Sequence, residues 1–294
     1  MIKATAASVV QKLAPNYYNR RYNRRLWKKR FYAMKEQYHE QELHIAPLLC
    51  DKDKTSIDVG AADGVYTIHI VGASRDCLAF EPRQSLAREL SEMAECLSLP
   101  IRIETVALSD GQGEASLRIL EEDVGRSTIE PENTLDDPDG SIRSEITVPI
   151  RRLDDYDLES VGFIKIDVEG HELSVLRGGI ETIRRCLPMM LIEMEERHKR
   201  NAIRDVQELF SDLGYEGYFL LNRNLMSINC FDLKRHQNVD HIGGWKTNWK
   251  RFGVYVNNFF FVPAEARLRL EAAVRDVRGS LSECLINGDN PCAS

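Results

Sequence analysis

The sequence has no apolar run near the roughly 20 residues needed to cross a bilayer as a helix. Its strongest runs, Leu187–Met194 and Asn258–Val262, have the length of buried strands. It also lacks a C-x-x-C pair. The seven cysteines (50, 77, 96, 186, 230, 284 and 292) are widely spaced and odd in number, which argues against a disulfide framework or a zinc site and for reduced thiols in a cytoplasmic compartment. The first ten residues hold one lysine and a weak Ala/Ser-rich stretch that runs into Arg and Lys, so no secretory leader is expected. There is no internal repeat. With 43% apolar and 29% charged residues the composition is that of a globular chain, and 294 positions suffice for one large core or for a core plus a smaller appendage.

Charge is divided unevenly. Residues 1–40 carry ten Lys/Arg (3, 12, 20, 21, 24, 25, 28, 29, 30 and 35) against Glu36 and Glu40, a balance of +8. The remaining 29 basic and 44 acidic side chains give −15 (39 − 10 and 46 − 2). Trp27, Phe31, Met34 and Tyr38 recur on one face of a helix. The favoured reading is a helix docked on the body by that stripe, with its cations paired to body carboxylates. The sharper alternative is contact with an anionic membrane, peripheral at the inner face, or with a polyphosphate-bearing substrate. Nucleic acid is a weaker expectation, because the acidic body repels phosphates.

Beyond this segment strands and helices alternate. Thr55–Val59, Cys77–Phe80, Ile101–Leu108, Phe163–Val168, Met189–Glu193, Tyr215–Leu221 and Val254–Val262 read as strands. Between them lie helical faces such as Leu86, Leu90, Met93 and Leu97, Leu173 to Ile183, and Ile203 to Leu213 with Gly214 as a C-cap. The alternation implies an α/β fold, a parallel sheet with helices on both faces. Glu114–Leu120 and Glu145–Ile150 alternate as exposed strands around a polar stretch, residues 121–144. Ser280–Ser294 reads as a frayed tail. The expected divisions are 1–50, a basic helical segment; 51–265, the α/β domain; and 266–294, a C-terminal helix and tail.

The decisive string is Ser56-Ile-Asp58-Val-Gly60-Ala61-Ala62-Asp63-Gly64, a strand ending in an acid and turning sharply into a helix. A dinucleotide site wants G-x-G-x-x-G, but Ala62 and Val65 stand at the second and third glycine positions. Asp58 and Asp63 sit where a diphosphate would go. Two carboxylates there suit a cation, and S-adenosylmethionine, a sulfonium with an amino group, fits. Glu81, in Phe80-Glu81-Pro82 and 21 residues after Gly60, is placed to accept ribose hydroxyls.

These residues, with Ala107-Leu-Ser-Asp110-x-x-Gly113, Leu153-Asp-Asp-Tyr156, Ile164-Lys165-Ile-Asp167-Val-Glu169-Gly-His171-Glu172 and Leu176-Arg-Gly-Gly179, resemble the FkbM-type S-adenosylmethionine-dependent methyltransferases over about residues 55–262. The resemblance implies a Rossmann-like, seven-stranded class I methyltransferase sheet with its last strand antiparallel. It also implies O-methylation of a hydroxyl on a saccharide, glycolipid or secondary metabolite. A non-catalytic module that binds the cofactor and an RNA ribose methyltransferase are the alternatives.

The cofactor set is Asp58, Gly60, Ala61, Asp63, Gly64 and Glu81, with Asp110 either at the adenine or capping its own turn. A base belongs at the carboxyl end of the fourth strand: Asp167 first and His171 second, with Glu169 and Lys165 beside them, Lys165 and Asp167 alternatively forming a structural ion pair. His171-Glu172 is not a zinc helix, because Val175 replaces the second histidine of H-E-x-x-H, and no metal is expected. Glu193, Glu195, Glu196 and His198 read as a solvated loop and helix start, with binding of substrate or a divalent ion as the alternative. Arg126 and Ser127 in the polar stretch, and Trp245 with Lys246, Trp249, Lys250 and Arg251, are candidate acceptor contacts.

Overall fold

A computed structural model describes residues 15–37, 40–121, 125–135, 143–243 and 250–286. In chain order the helices are α1 (Pro15–Gln37), α2 (Gln41–Leu49), α3 (Val65–Ile70), α4 (Gln84–Leu97), α5 (Glu172–Gly178), α6 (Ile180–Cys186), α7 (Ala202–Ser211), α8 (Leu233–His236) and α9 (Arg267–Ile286). The strands are β1 (Thr55–Val59), β2 (Asp76–Phe80), β3 (Ile101–Glu104), β4 (Ala107–Leu108), β5 (Gly113–Leu120), β6 (Ser127–Thr128), β7 (Arg143–Arg151), β8 (Val161–Ile166), β9 (Met189–Glu193), β10 (Tyr215–Leu221), β11 (Asn224–Ser227) and β12 (Asn258–Pro263).

The main sheet runs β3-β2-β1-β8-β9-β12-β10-β11. Strands β3, β2, β1, β8 and β9 are mutually parallel, and β12 is antiparallel to both of its neighbours. The antiparallel last strand is therefore present, but the sheet has eight strands, not seven. The polar turn at Asn222 and Arg223 folds β11 back on β10 as a hairpin, with φ +50° and +66° at the two turn residues. A two-residue loop with both residues left-handed is the hairpin turn that matches strand twist.

Alternation along the central strands divides the core between two layers. Ile57, Leu78, Ile164, Ile166 and Met190 pack under α5, α6 and α7, whereas Cys77, Phe163, Met189 and Leu191 pack under α2, α3 and α9. The boundaries drawn at 50 and 265 therefore do not separate packing units. Leu43, Ile45, Ala46 and Leu49 of α2 are each at most 1% exposed, and Leu270 of α9 is fully buried. The tail expectation also shifts, since α9 continues to Ile286.

Helix α1 lies on α4 and α3 through Trp27, Phe31 and Met34, against Leu90, Met93 and Ile68. Arg30 bonds Glu89 at 2.8 Å. This is the docked helix of the favoured reading; Tyr38 lies outside the described residues. The expected strand over 101–108 is split: Ile101–Glu104 joins the main sheet, while Ala107–Leu108 starts a second sheet, β4-β7-β5-β6, beside the strand ends.

The turn after β1 depends on one close backbone approach. Gly60 has φ +78°, and a Cβ built there would lie 1.8 Å from the Asp167 carbonyl oxygen. Asp167 N–H in turn donates to Val59 O at 3.0 Å. Gly60→Ala should therefore destabilise the fold by about 3 kcal/mol or more, adding left-handed strain to a backbone clash. Gly72→Ala, exposed and with nothing within 4 Å of the new methyl, should stay within about 1 kcal/mol of the parent. Denaturant melts of the two variants check the contrast.

Candidate active site

The carboxyl ends of β1, β8 and β9 meet where the chain order reverses from β1 to β8, the place where open α/β sheets bind ligands. A chamber of about 680 Å³ opens there. A narrower slot of about 40 Å³ adjoins it, sharing Gly60, Ala62, Gly125 and Asp167.

The slot is largely apolar, walled by Phe80, Pro82, Val106, Leu108, Leu117 and Ile129, with Glu81 in its wall. Burial raises the Glu81 carboxyl, and the N–H groups of Arg83 and Ala62 oppose that by donating to Oε1 and Oε2, each at 2.8 Å. Ala62 donates from a left-handed conformation, φ +48°. Each oxygen keeps a lone pair, so Glu81 can still accept hydroxyl protons.

Asp58 lies on the chamber side of the turn and is 2% exposed. Burial lifts its carboxyl to about 6, although Thr67 Oγ1 donates to it at 2.5 Å and Lys165 lies nearby. Gly60, Ala61 and Asp63 line the same chamber. Gly64, in neither lining, starts α3 with φ +90°. Asp110 is exposed and also lines neither space; Ser109 Oγ donates to it at 3.3 Å.

At the chamber floor Lys165 is fully buried on β8. Its ammonium is 3.9 Å from Asp167 Oδ2 and 3.8 Å from Glu193 Oε2, with the Tyr66 ring centroid at 4.8 Å. Burial raises Asp167, which is 34% exposed, above the ordinary carboxylate range; Lys165 pulls it back, and Glu193 contributes a hydrogen bond. Burial, then Asp167, raises Glu193 further. Burial and mutual repulsion thus oppose ionising both carboxyls together, while Lys165 favours the charged form of each. Asn257 Nδ2 donates to the other Glu193 oxygen.

Glu169, one residue past Val168, takes a left-handed conformation at φ +55°, which ends the strand alternation, yet its side chain still lines the chamber. Its carboxyl, raised by burial and then by Glu195, is 3.0 Å from Nδ1 of buried His198. Its carbonyl accepts from Thr128 Oγ1 at 2.9 Å and Asn133 Nδ2 at 2.7 Å, tying the 125–135 strap to the strand end.

His171 is not among the residues that line the chamber. It lines the slot, its Nε2 is 2.9 Å from Ser109 Oγ and its Nδ1 is 3.2 Å from Glu130 Oε2, so both ring nitrogens are engaged. Burial lowers its pKa. Glu130, 3% exposed, also takes Lys199 Nζ at 2.8 Å and pins the strap. Of the candidate acceptor contacts, Arg126 is buried in the chamber wall, whereas Ser127 lines the slot. Trp245, Lys246 and Trp249 lie outside the described residues.

The residues after β9 are not a solvated loop. Glu195 and His198 are each 5% exposed. Arg197 grips Glu195 through Nε at 2.5 Å and Nη2 at 3.1 Å, and Tyr255 OH donates to the same carboxyl. Glu196 accepts the N–H groups of Asn201 and Ile203. Tyr66, Tyr255, Asn257 and Glu130 escaped the sequence reading, which placed Glu193 in a solvated loop. The signal was Glu193 at the end of an apolar strand, in the same position relative to β9 that Asp167 holds relative to β8.

Among the described residues, no group of three or more His, Cys, Asp or Glu side chains is arranged to hold a metal ion. Nor is any helix among them long and apolar enough to cross a membrane.

A family model described as Methyltransferase FkbM domain matches residues 58–216. No curated protein matches the sequence. Among solved structures the chain is similar to methyltransferase FkbM from Methylobacillus flagellatus KT, at 15% identity and TM-score 0.44, over 72% of this chain and 44% of that one. It thus spans less than half the length of that protein. It is also similar to an rRNA methylase from Streptococcus thermophilus (13%, TM-score 0.37, 75% and 91% covered) and to a Streptococcus mutans protein solved in complex with SAH (10%, 0.39, 75% and 94%).

The Glu195 cluster generates a stability prediction. Burial opposes ionisation of Glu195, but Arg197, then His198 and Tyr255, override it and hold the carboxyl at about 2. A depressed folded-state pKa stabilises above the unfolded value near 4.5, and that stabilisation is lost as pH falls towards 2. Glu195→Gln should therefore cost about 3 kcal/mol at neutral pH, with the gap from the parent closing through the acid range. Paired melts across pH read this out.

Proposed function

The chain belongs to the FkbM methyltransferase family, and on that premise we propose that it transfers a methyl group from S-adenosylmethionine to a hydroxyl of a saccharide, glycolipid or secondary metabolite. The observation that carries this reading is the union of two sites in one cleft. A slot with an unsaturated ribose acceptor, Glu81, opens into a chamber with a raised carboxylate, Asp167, on its floor.

The residues present fit the cofactor. Glu81 would take the ribose hydroxyls, Phe80, Val106 and Leu108 would enclose the adenine, and Asp58 would face the amino group. These acids suit a cation and repel a diphosphate. When bound, S-adenosylmethionine supplies an electrophilic methyl.

The rest is the work of this chain. An alcohol is a weak nucleophile, and a positioned base contributes roughly 10²–10⁴-fold. Asp167 accepts the hydroxyl proton. Glu193, carrying its own proton, donates to Asp167 and keeps it ionised, while Lys165 compensates the anion from below. Glu169 and His198 hold the far wall, and the strap fastened to the Glu169 carbonyl walls the slot through Gly125, Ser127, Thr128 and Ile129.

The chamber also argues against RNA as acceptor. Glu40, Asp58, Asp63, Asp167, Glu169 and Glu195 line it, with Glu193 carrying its proton, against Arg126, Lys165, Arg197 and Arg251, a formal balance of −2 (four cations less six ionised acids). A phosphate backbone meets net repulsion there.

Two experiments test the reading. Titration calorimetry with S-adenosylmethionine should show binding that Glu81→Ala weakens at least about tenfold, since two charge-assisted hydrogen bonds are lost. Absence of binding by the intact chain rejects the assignment.

Once an acceptor is found, methyl transfer should rise with pH through a midpoint above the ordinary carboxylate range, because the base must be deprotonated. Asp167→Asn should abolish turnover by about 10²-fold or more. Glu193→Gln, which keeps a donor to Asp167, should retain most activity. Glu193→Ala should move the acidic limb upward by about one pH unit. An unshifted limb in Glu193→Ala removes Glu193 from the mechanism.

A further inference from the structure

The α1 docking stripe uses only one side of the helix. At about 100° per residue, Trp27, Arg30, Phe31 and Met34 occupy the side turned to α4. Arg25 and Lys29 fall on the opposite side and Lys28 and Arg24 on the flank that runs back to Phe31, the four within about 140° of one another. All four are exposed. Tyr32, 51% exposed, lies among them under the Lys28 ammonium at 5.8 Å, and Leu26, 49% exposed, lies at their margin.

We propose that this face of α1 docks the protein flat on an anionic bilayer surface. Four cations interleaved with a tyrosine and a leucine are the components of an interfacial helix: the charges meet lipid phosphates while the amphipathic side chains enter the headgroup boundary. The apolar stripe usually buried in lipid is here spent on α4, so attachment is electrostatic and shallow, and reversible.

The shape of the partner follows from the rest of the charge. Residues beyond 40 carry −15. A plane touches the basic face alone and leaves the acidic body more than a Debye length, about 8 Å, away over most of its surface. A flexible nucleic acid would meet both. The contact also has a position: α1 ends at Gln37, three residues before Glu40, which lines the chamber. A bilayer under α1 therefore lies close to the chamber rim. The surface contact stands independently of methyl transfer.

The test is co-sedimentation of the full chain with phosphatidylcholine vesicles containing or lacking about a third phosphatidylglycerol, at low and physiological salt. The expected result is binding to the anionic vesicles only, weakening as salt rises. Each cation contributes roughly fivefold to partitioning. The variant Arg24→Gln/Arg25→Gln/Lys28→Gln/Lys29→Gln should thus bind several-hundred-fold more weakly. Its melting temperature should match the parent's, because the four side chains are solvent-facing. Equal binding to neutral vesicles, binding retained by the variant, or tighter binding to a single-stranded RNA than to anionic vesicles would each overturn the proposal.

Discussion

The buried ammonium of Lys165 is the interaction on which the site depends. Three strands deliver Asp58, Asp167 and Glu193 to one end of the sheet, a crowding of carboxyls that desolvation alone would neutralise. One cation between them, fixed on β8 and covered by the Tyr66 ring, keeps part of that charge ionised in a place with little water. An ionised carboxylate in such a place accepts protons at a pH where an exposed one is already a spent, weak base. The reactivity proposed for Asp167 is thus a property of three strands and one helix together, not of the residue.

The second constraint is backbone contact. Gly60 lets the turn after β1 touch the Asp167 carbonyl, so the loop that carries the cofactor acids and the strand end that carries the base are held in van der Waals contact. The strap from 125 to 135 adds a third side through the Glu169 carbonyl and the Glu130 carboxylate. Slot and chamber adjoin because these three segments converge on a few backbone atoms. The basic helix α1 is attached to the outside of this assembly, with Arg30 bonded to Glu89 and Arg24, Arg25, Lys28 and Lys29 exposed.

Local signals were legible in the sequence where they carried their own periodicity. Leu90 and Met93 announced α4, the apolar run at Met189 announced β9, and the Trp27, Phe31 and Met34 stripe announced the docked helix. The tandem Gly178 and Gly179 hid a break, so the helix expected from Leu173 to Ile183 is two, α5 and α6. The split of residues 101–108 between two sheets was equally hidden, because a run of strand-forming residues does not state which edge each half will meet.

For the site, the division has a physical cause. Sequence by itself determined the turn Asp58–Gly64, the acid at Glu81 and the charged strand end from Lys165 to Glu169, because each is a short-range pattern whose spacing alone constrains the chemistry. Only the tertiary structure decided that Glu193 sits beside Asp167 at the Lys165 ammonium, that His171 has both nitrogens committed, and that Glu195 and His198 are buried. Those facts depend on which strands become neighbours, and neighbours in a parallel sheet come from distant parts of the chain, brought together by burial rather than by local preference.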